Sequence, residues 1–165
     1  MKHQQGKAQM DILLVGHGGA QPRLSAIAKA LKKTPGSLVS CYFDGSLDYI
    51  NSRHNLPRTD FLILGLSRAS RDLKSPAHAV EEDIVTRATA LRPSIGCCIV
   101  CDEDGHVSTP YLIKLGSKAN IVVAHEQNPA CNVTEICERA LPLYIPDVIS
   151  GADQIAQAIY DFRAA

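Results

Sequence analysis

The sequence predicts an α/β fold: a three-layer α/β/α sandwich around a mainly parallel sheet of five or six strands, Rossmann-like or flavodoxin-like. Two observations carry this. Short apolar runs alternate with helical patterns from end to end of the chain. Those runs are continuously apolar, which marks strands buried on both faces, as in a parallel sheet covered by helices. Right-handed crossovers then close the sandwich. The strand order stays open at this level.

The elements follow in order. Residues 12–15 of "DILLVG" form the first strand. Pro22 suits the opening turn of a helix whose apolar stripe is Leu24, Ile27, Ala28 and Leu31, and "TPG" at 34–36 ends it. "SLVSCYF" at 37–43 is the second strand, 46–58 a short helix and loop, and "DFLILG" at 60–65 the third strand. Ser75 caps the next helix, Pro76 opens it, and Ala77, Val80, Ile84, Ala88 and Leu91 trace its inward face. "SIGCCIVC" at 94–101 and "ANIVVAH" at 119–125 are the fourth and fifth strands. Val133, Ile136, Cys137, Ala140 and Leu141 trace a further helix. Pro146 restricts any strand in "LYIPDVIS" to a short or edge position. The last helix starts at Ser150, with Asp153 completing a capping box and Ala152, Ile155, Ile159 and Phe162 facing the sheet.

Composition narrows the class. Hydrophobic residues make up 45% and charged residues 21% of the 165, a globular balance. Lys+Arg and Asp+Glu are equal at 17 each, so the zero net charge speaks against nucleic acid or an anionic membrane as a partner. No apolar run is long enough to span a bilayer. The opening "MKHQQGKAQ" has no apolar stretch of the secretory type, so residues 1–9 read as a flexible arm before one domain, 10–165, in the cytoplasm. The six cysteines, Cys41, Cys97, Cys98, Cys101, Cys131 and Cys137, fall mostly in apolar segments and read as reduced, buried side chains. Cys98 and Cys101 form a C-x-x-C, but on a strand residues three apart face opposite ways, which suits neither chelation nor a disulfide.

In such sheets ligands bind beyond the carboxyl ends of the strands, where the strand order reverses. Every predicted strand here ends in polar residues. After the first come Gly16, His17, Gly18 and Gly19; the glycines allow sharp turning and close approach, and the helix start behind them suits an anion. His17 is the candidate catalytic group, as a base or a ligand contact; the alternative is a histidine that only caps its own turn. The turn matches neither G-x-G-x-x-G nor a Walker A motif. "GLSRASR" at 65–71 offers Ser67 and Ser70 with Arg68 and Arg71 for a phosphate or carboxylate. "DEDG" at 102–105 offers Asp102 and Asp104, which could bind Mg²⁺ with a substrate phosphate, and Glu126 could bind sugar hydroxyls. No resident metal site or cofactor is assigned. The absence of G-x-S-x-G disfavours a nucleophilic hydrolase, and "GHGG" in place of an acidic pair disfavours a two-component receiver.

"ILLVGHGGAQPRLSAIAKAL" resembles the glycine-rich first turn in the N-terminal lobe of GT-B glycosyltransferases, and "DFLILGLSRAS" resembles the later strand and loop facing the same crevice. That resemblance implies a nucleotide- or sugar-nucleotide-related, transferase-like chain. It also implies a half-enzyme needing a partner lobe or a second copy, since 165 residues leave no room for a second lobe. The "VGHG" at the end of the first strand is similar to the small sirohydrochlorin-type chelatases, which implies that His17 assists metal insertion into a tetrapyrrole; His78 and His125 are then available as second ligands. Three expectations stand: a domain binding a small anionic or phosphorylated ligand, a chelatase-like enzyme, and a non-catalytic ligand-sensing or partner-binding module.

Overall fold

A computed structural model describes residues 10–33, 37–42, 59–68, 72–115, 118–125 and 133–164. The expected arm at 1–9, the helix and loop at 46–58, and Ser70, Arg71, Glu126 and Cys131 lie outside the described residues. The strands are β1 (Met10–Gly16), β2 (Ser37–Tyr42), β3 (Phe61–Gly65), β4 (Gly96–Val100), β5 (Ile121–His125) and β6 (Leu141–Ile145). The helices are α1 (Gln21–Lys32), α2 (Pro76–Thr89), α3 (Thr109–Leu115), α4 (Val133–Ile136) and α5 (Ala152–Ala164).

The strands form one sheet in the order β2-β1-β3-β4-β5-β6, and every neighbouring pair is parallel. This is the flavodoxin-like order with one strand added, distinct from the 3-2-1-4-5-6 order of dinucleotide-binding folds. The chain reverses direction across the sheet between β1 and β3. β3 and β4 are buried along their whole length, as continuous apolar runs predict. β6 is an edge strand with Leu141 and Tyr144 exposed, which fits its Pro142 and the Pro146 just beyond it. α1 packs against α5 and the β1–β2 edge, and α2 lies against β1 and β3. Among the described residues, no helix is long and apolar enough to cross a membrane.

Three expectations need correction. In α2 the inward face is His78, Glu81, Ile84, Val85 and Ala88, while Ala77 and Val80 are exposed. The two stripes share Ile84 and Ala88, so periodicity alone cannot separate them, and the rule that charged residues face outward selects the wrong one. Burial of Glu81 is compensated by two hydrogen bonds from Ser67. The helix from Val133 ends at Ile136; Leu141 belongs to β6 instead. α5 starts at Ala152 rather than Ser150, because Asp147 accepts from the Ser150 amide (2.9 Å) and the Gly151 amide bonds to the Asp147 carbonyl, which holds 147–151 as a turn.

α3 has no counterpart in the sequence reading. Its signal was present in Thr109-Pro110 followed by Tyr111, Leu112 and Leu115, all three buried. Ser75 caps α2 as expected, its hydroxyl accepting from the His78 amide at 3.0 Å.

Cys97, Cys98, Cys101 and Cys137 are all free and buried. Burial pushes the Cys97 thiol up to about 12 and raises Cys98 and Cys137 as well. Thiol titration of the native protein should therefore leave these four unreacted until denaturant is added. Rapid native labelling of Cys97 or Cys98 would contradict the packing.

Candidate functional site

β1 and β3 end side by side, with Gly16 paired to Gly65. A Cβ on Gly16 would stand 2.5 Å from Leu24 Cδ1 and 2.9 Å from the Ala20 Cβ, and one on Gly65 would stand 2.9 Å from Leu24 Cγ. The paired glycines thus leave a hollow that Leu24 fills, drawing the first turn of α1 down onto the reversal point. Gly16 is used for helix packing. Gly18 is different: its φ is +49°, and among the described residues a Cβ there would meet nothing within 4 Å. Gly18, Gly19 and Ala20 form a single 3₁₀ turn between β1 and α1, closed by the Ala20 amide on the His17 carbonyl.

Beneath this turn lies a buried polar cluster. Ser67 follows β3 and is buried; its amide donates to Glu81 Oε2 at 3.1 Å, and its hydroxyl donates to the same oxygen. Its two donor groups are thus turned into the protein. His78, one turn before Glu81 on α2, bonds to Glu82 (3.1 Å) and stacks on Tyr111 with ring centroids 5.8 Å apart. His17 precedes this turn in extended conformation and makes no side-chain hydrogen bond that caps it. Its imidazole lies close enough to Glu81 to favour the ionised carboxylate, as does His78. Glu81 was missed as a site residue, and His78 was named only as an available second ligand. A charged pair on a helix reads as solvent-facing, and only the loop that Glu81 binds reveals otherwise.

Burial holds the Glu81 carboxyl above the usual carboxylate range, against the pull of the Ser67 hydrogen bonds, His17 and His78. Between the unfolded and folded pKa values, the folded protein keeps a proton that the unfolded chain has released. Stability is therefore highest below that window and falls as pH rises through the folded pKa. Glu81→Gln should remove this fall. In urea denaturation from about pH 4 upward, the parent should lose stability relative to the variant. Parallel curves would contradict the assignment.

The rim carries charge in both signs. Arg68 forms a two-bond fork with Asp104, Nε to Oδ2 at 2.9 Å and Nη2 to Oδ1 at 3.1 Å, and this partner holds the guanidinium still more firmly protonated. Asp102 is buried, and its Oδ1 accepts from the amides of Asp104 (2.8 Å) and His106 (3.2 Å), shaping the turn. Gly105, at φ +84°, lets that turn press against His125, where a Cβ would stand 2.4 Å from the His125 Cβ. The two aspartates expected near a phosphate are thus engaged within the protein. Among the described residues, no three His, Cys, Asp or Glu side chains gather as a metal-binding group.

Arg23, in the first turn of α1, is buried; its Nη2 donates to the Leu66 carbonyl at 2.6 Å and lies 3.5 Å from Glu103. Its neighbours Cys101–Gly105, His125 and 145–148 enclose a recess of about 170 Å³ at the carboxyl ends of β4 to β6. A larger cavity, about 760 Å³, opens at the other end of the sheet, beside Arg92, Ile95, Lys118 and Asn120. It faces the amino ends of the strands, and Asn120 Oδ1 is already taken by the Cys97 amide. The switch point between β1 and β3 is the better site by topology and by its convergent polar groups. Comparison with models of known families finds no match, and comparison with curated proteins finds none either.

Proposed function

We propose that this chain is a small-ligand-binding domain that holds an anionic, phosphorylated metabolite at the β1/β3 switch point. Nucleotides and sugar nucleotides are the ligand classes that fit this reading first. The observation that carries it is Gly18. It stands in a left-handed conformation with open space above it, where the strand order reverses and a helix begins. Glycine there lets a ligand approach the backbone, and the start of α1 favours negative charge. Arg23 and Arg68 flank the turn. His17 is then the group placed to exchange a proton with a bound ligand, with Glu81 behind it.

The recess of about 170 Å³ lies beside the switch point, at the carboxyl ends of β4 to β6, and the buried Arg23 lines it. A partner lobe or a second copy would supply walls for the rest of a nucleotide-sized ligand, as in a transferase-like half-enzyme. Thermal-shift screening against nucleoside diphosphates, sugar nucleotides and inorganic phosphate tests the proposal, because a ligand that binds only the folded state raises the melting temperature. A phosphorylated ligand should raise it. A panel in which none does so counts against the proposal.

A chelatase-like activity is the second reading. It rests on His17 at the end of β1 and on the buried Glu81 on α2, whose carboxylate both His17 and His78 favour electrostatically. Here the metal ion is a substrate, delivered to a tetrapyrrole over His17. Adding a tetrapyrrole with and without divalent cobalt to the same screen separates the two: metal insertion changes the tetrapyrrole absorption spectrum, and phosphate binding does not.

A further inference from the structure

We infer that the rim contains an oxyanion subsite formed by Gly19, the Arg68 backbone amide and the Arg23 guanidinium, and that the Glu103 carboxylate fills it in place of a ligand's anionic group. The inference deepens the proposed ligand site and rests on it.

Three segments converge on this carboxylate. Both Glu103 oxygens stand 3.3 Å from where a Gly19 Cβ would be, so the carboxylate sits directly against the glycine turn after β1. From the loop after β3, the Arg68 amide donates to Glu103 Oε1 at 3.3 Å, and the Arg68 Nε lies 3.7 Å away. From α1, Arg23 Nη2 lies 3.5 Å from Oε2. A backbone N–H and two guanidiniums over a side-chain-free floor form the donor set that a carboxylate or phosphate needs.

Arg23 makes this more than a surface ion pair. Its side chain is only 7% exposed, and its Nε has no hydrogen-bond partner among the described residues. A cation in the first turn of a helix opposes the helix dipole, and burying it costs free energy. It brings nothing to α1 as a helix, but it does fix a positive charge beneath the rim. Its counter-ion Glu103 comes from an exposed turn, and the contacts of 3.3–3.7 Å are long for charge-assisted hydrogen bonds, which run near 2.8 Å. Asp104, by contrast, is locked in its fork with Arg68. Glu103 is thus the loosely held, exchangeable member, and a ligand oxyanion would enter as the Glu103 side chain swings toward solvent.

The test uses Glu103→Ala in the full chain, with inorganic phosphate and acetate as separate probes and amide NMR as the readout. Removing the internal carboxylate should tighten binding of one probe by about tenfold or more over the parent, with the Gly19 and Arg68 amide signals moving. Preference for phosphate identifies a phosphorylated ligand, and preference for acetate a carboxylate. Glu103→Gln keeps the shape without the charge and carries the test if the Ala variant does not fold. Asp104→Asn removes the same charge one residue away and should gain much less. Equal affinity in parent and Glu103 variants, or an equal gain in Asp104→Asn, overturns the exchange. If phosphate still moves the Gly18 signal in all of them, the switch-point site survives that failure. If no probe binds any variant and phosphorylated metabolites are silent too, both fall.

Discussion

Leu24→Ala should destabilise the protein by about 2–5 kcal/mol, the range for a buried leucine whose surroundings cannot collapse. Leu24 is fully buried in the hollow between Gly16 and Gly65, two residues that have no side chains to move into the gap. The lost contacts tie α1 to the ends of β1 and β3, so the loss should also loosen the Gly18 turn and weaken any ligand held there. Urea denaturation measures the first effect. Gly65→Ala alone should also destabilise, by overpacking against Leu24 at about 1–3 kcal/mol. Combined with Leu24→Ala it should cost less than the sum, because the new methyl enters the vacated space. A Leu24→Ala loss below about 1 kcal/mol would mean that the hollow closes by other means.

Gly18→Asp should weaken binding of a phosphorylated ligand on the order of a hundredfold while the protein stays folded. The φ of +49° makes most side chains strained at this position. Aspartate is among those that tolerate it best, and the open space above the residue accommodates the side chain. The strain is about 1 kcal/mol, well below the stability of an ordinary domain. Its charge then stands where the ligand's anion would come. Calorimetric titration beside circular dichroism checks both halves. A folded Gly18→Asp protein that binds as tightly as the parent would show the turn to be only a turn.

The layers of this fold were legible because parallel strands buried on both faces are written as continuous apolar runs. "DFLILG" and "GCCIV" could scarcely be anything else. The strand order was not legible, since nothing local to a strand names its neighbour. The glycine turn and His17 could be placed at the rim from their position after β1. Their division of labour could not: Gly16 accommodates Leu24, and Gly18 opens toward solvent, a difference set by a helix packed from above. Glu81 was hidden because its hydrogen-bond donors lie in a loop 14 residues away. Arg23 was hidden for a related reason: an arginine beside Pro22 reads as surface, and only the Leu66 carbonyl and Glu103 make its burial tolerable.

The most direct test of a ligand site at the switch point is an amide NMR titration of the parent with the phosphorylated ligand that most raises its melting temperature. The amides of Gly18, Gly19 and Arg68 should shift first and saturate together, while those near Arg92 and Lys118, at the opposite end of the sheet, stay still. Shifts confined to Arg92, Lys118 and Asn120, with the glycine turn unmoved, would place the ligand at the wrong end of the strands and contradict the proposed site.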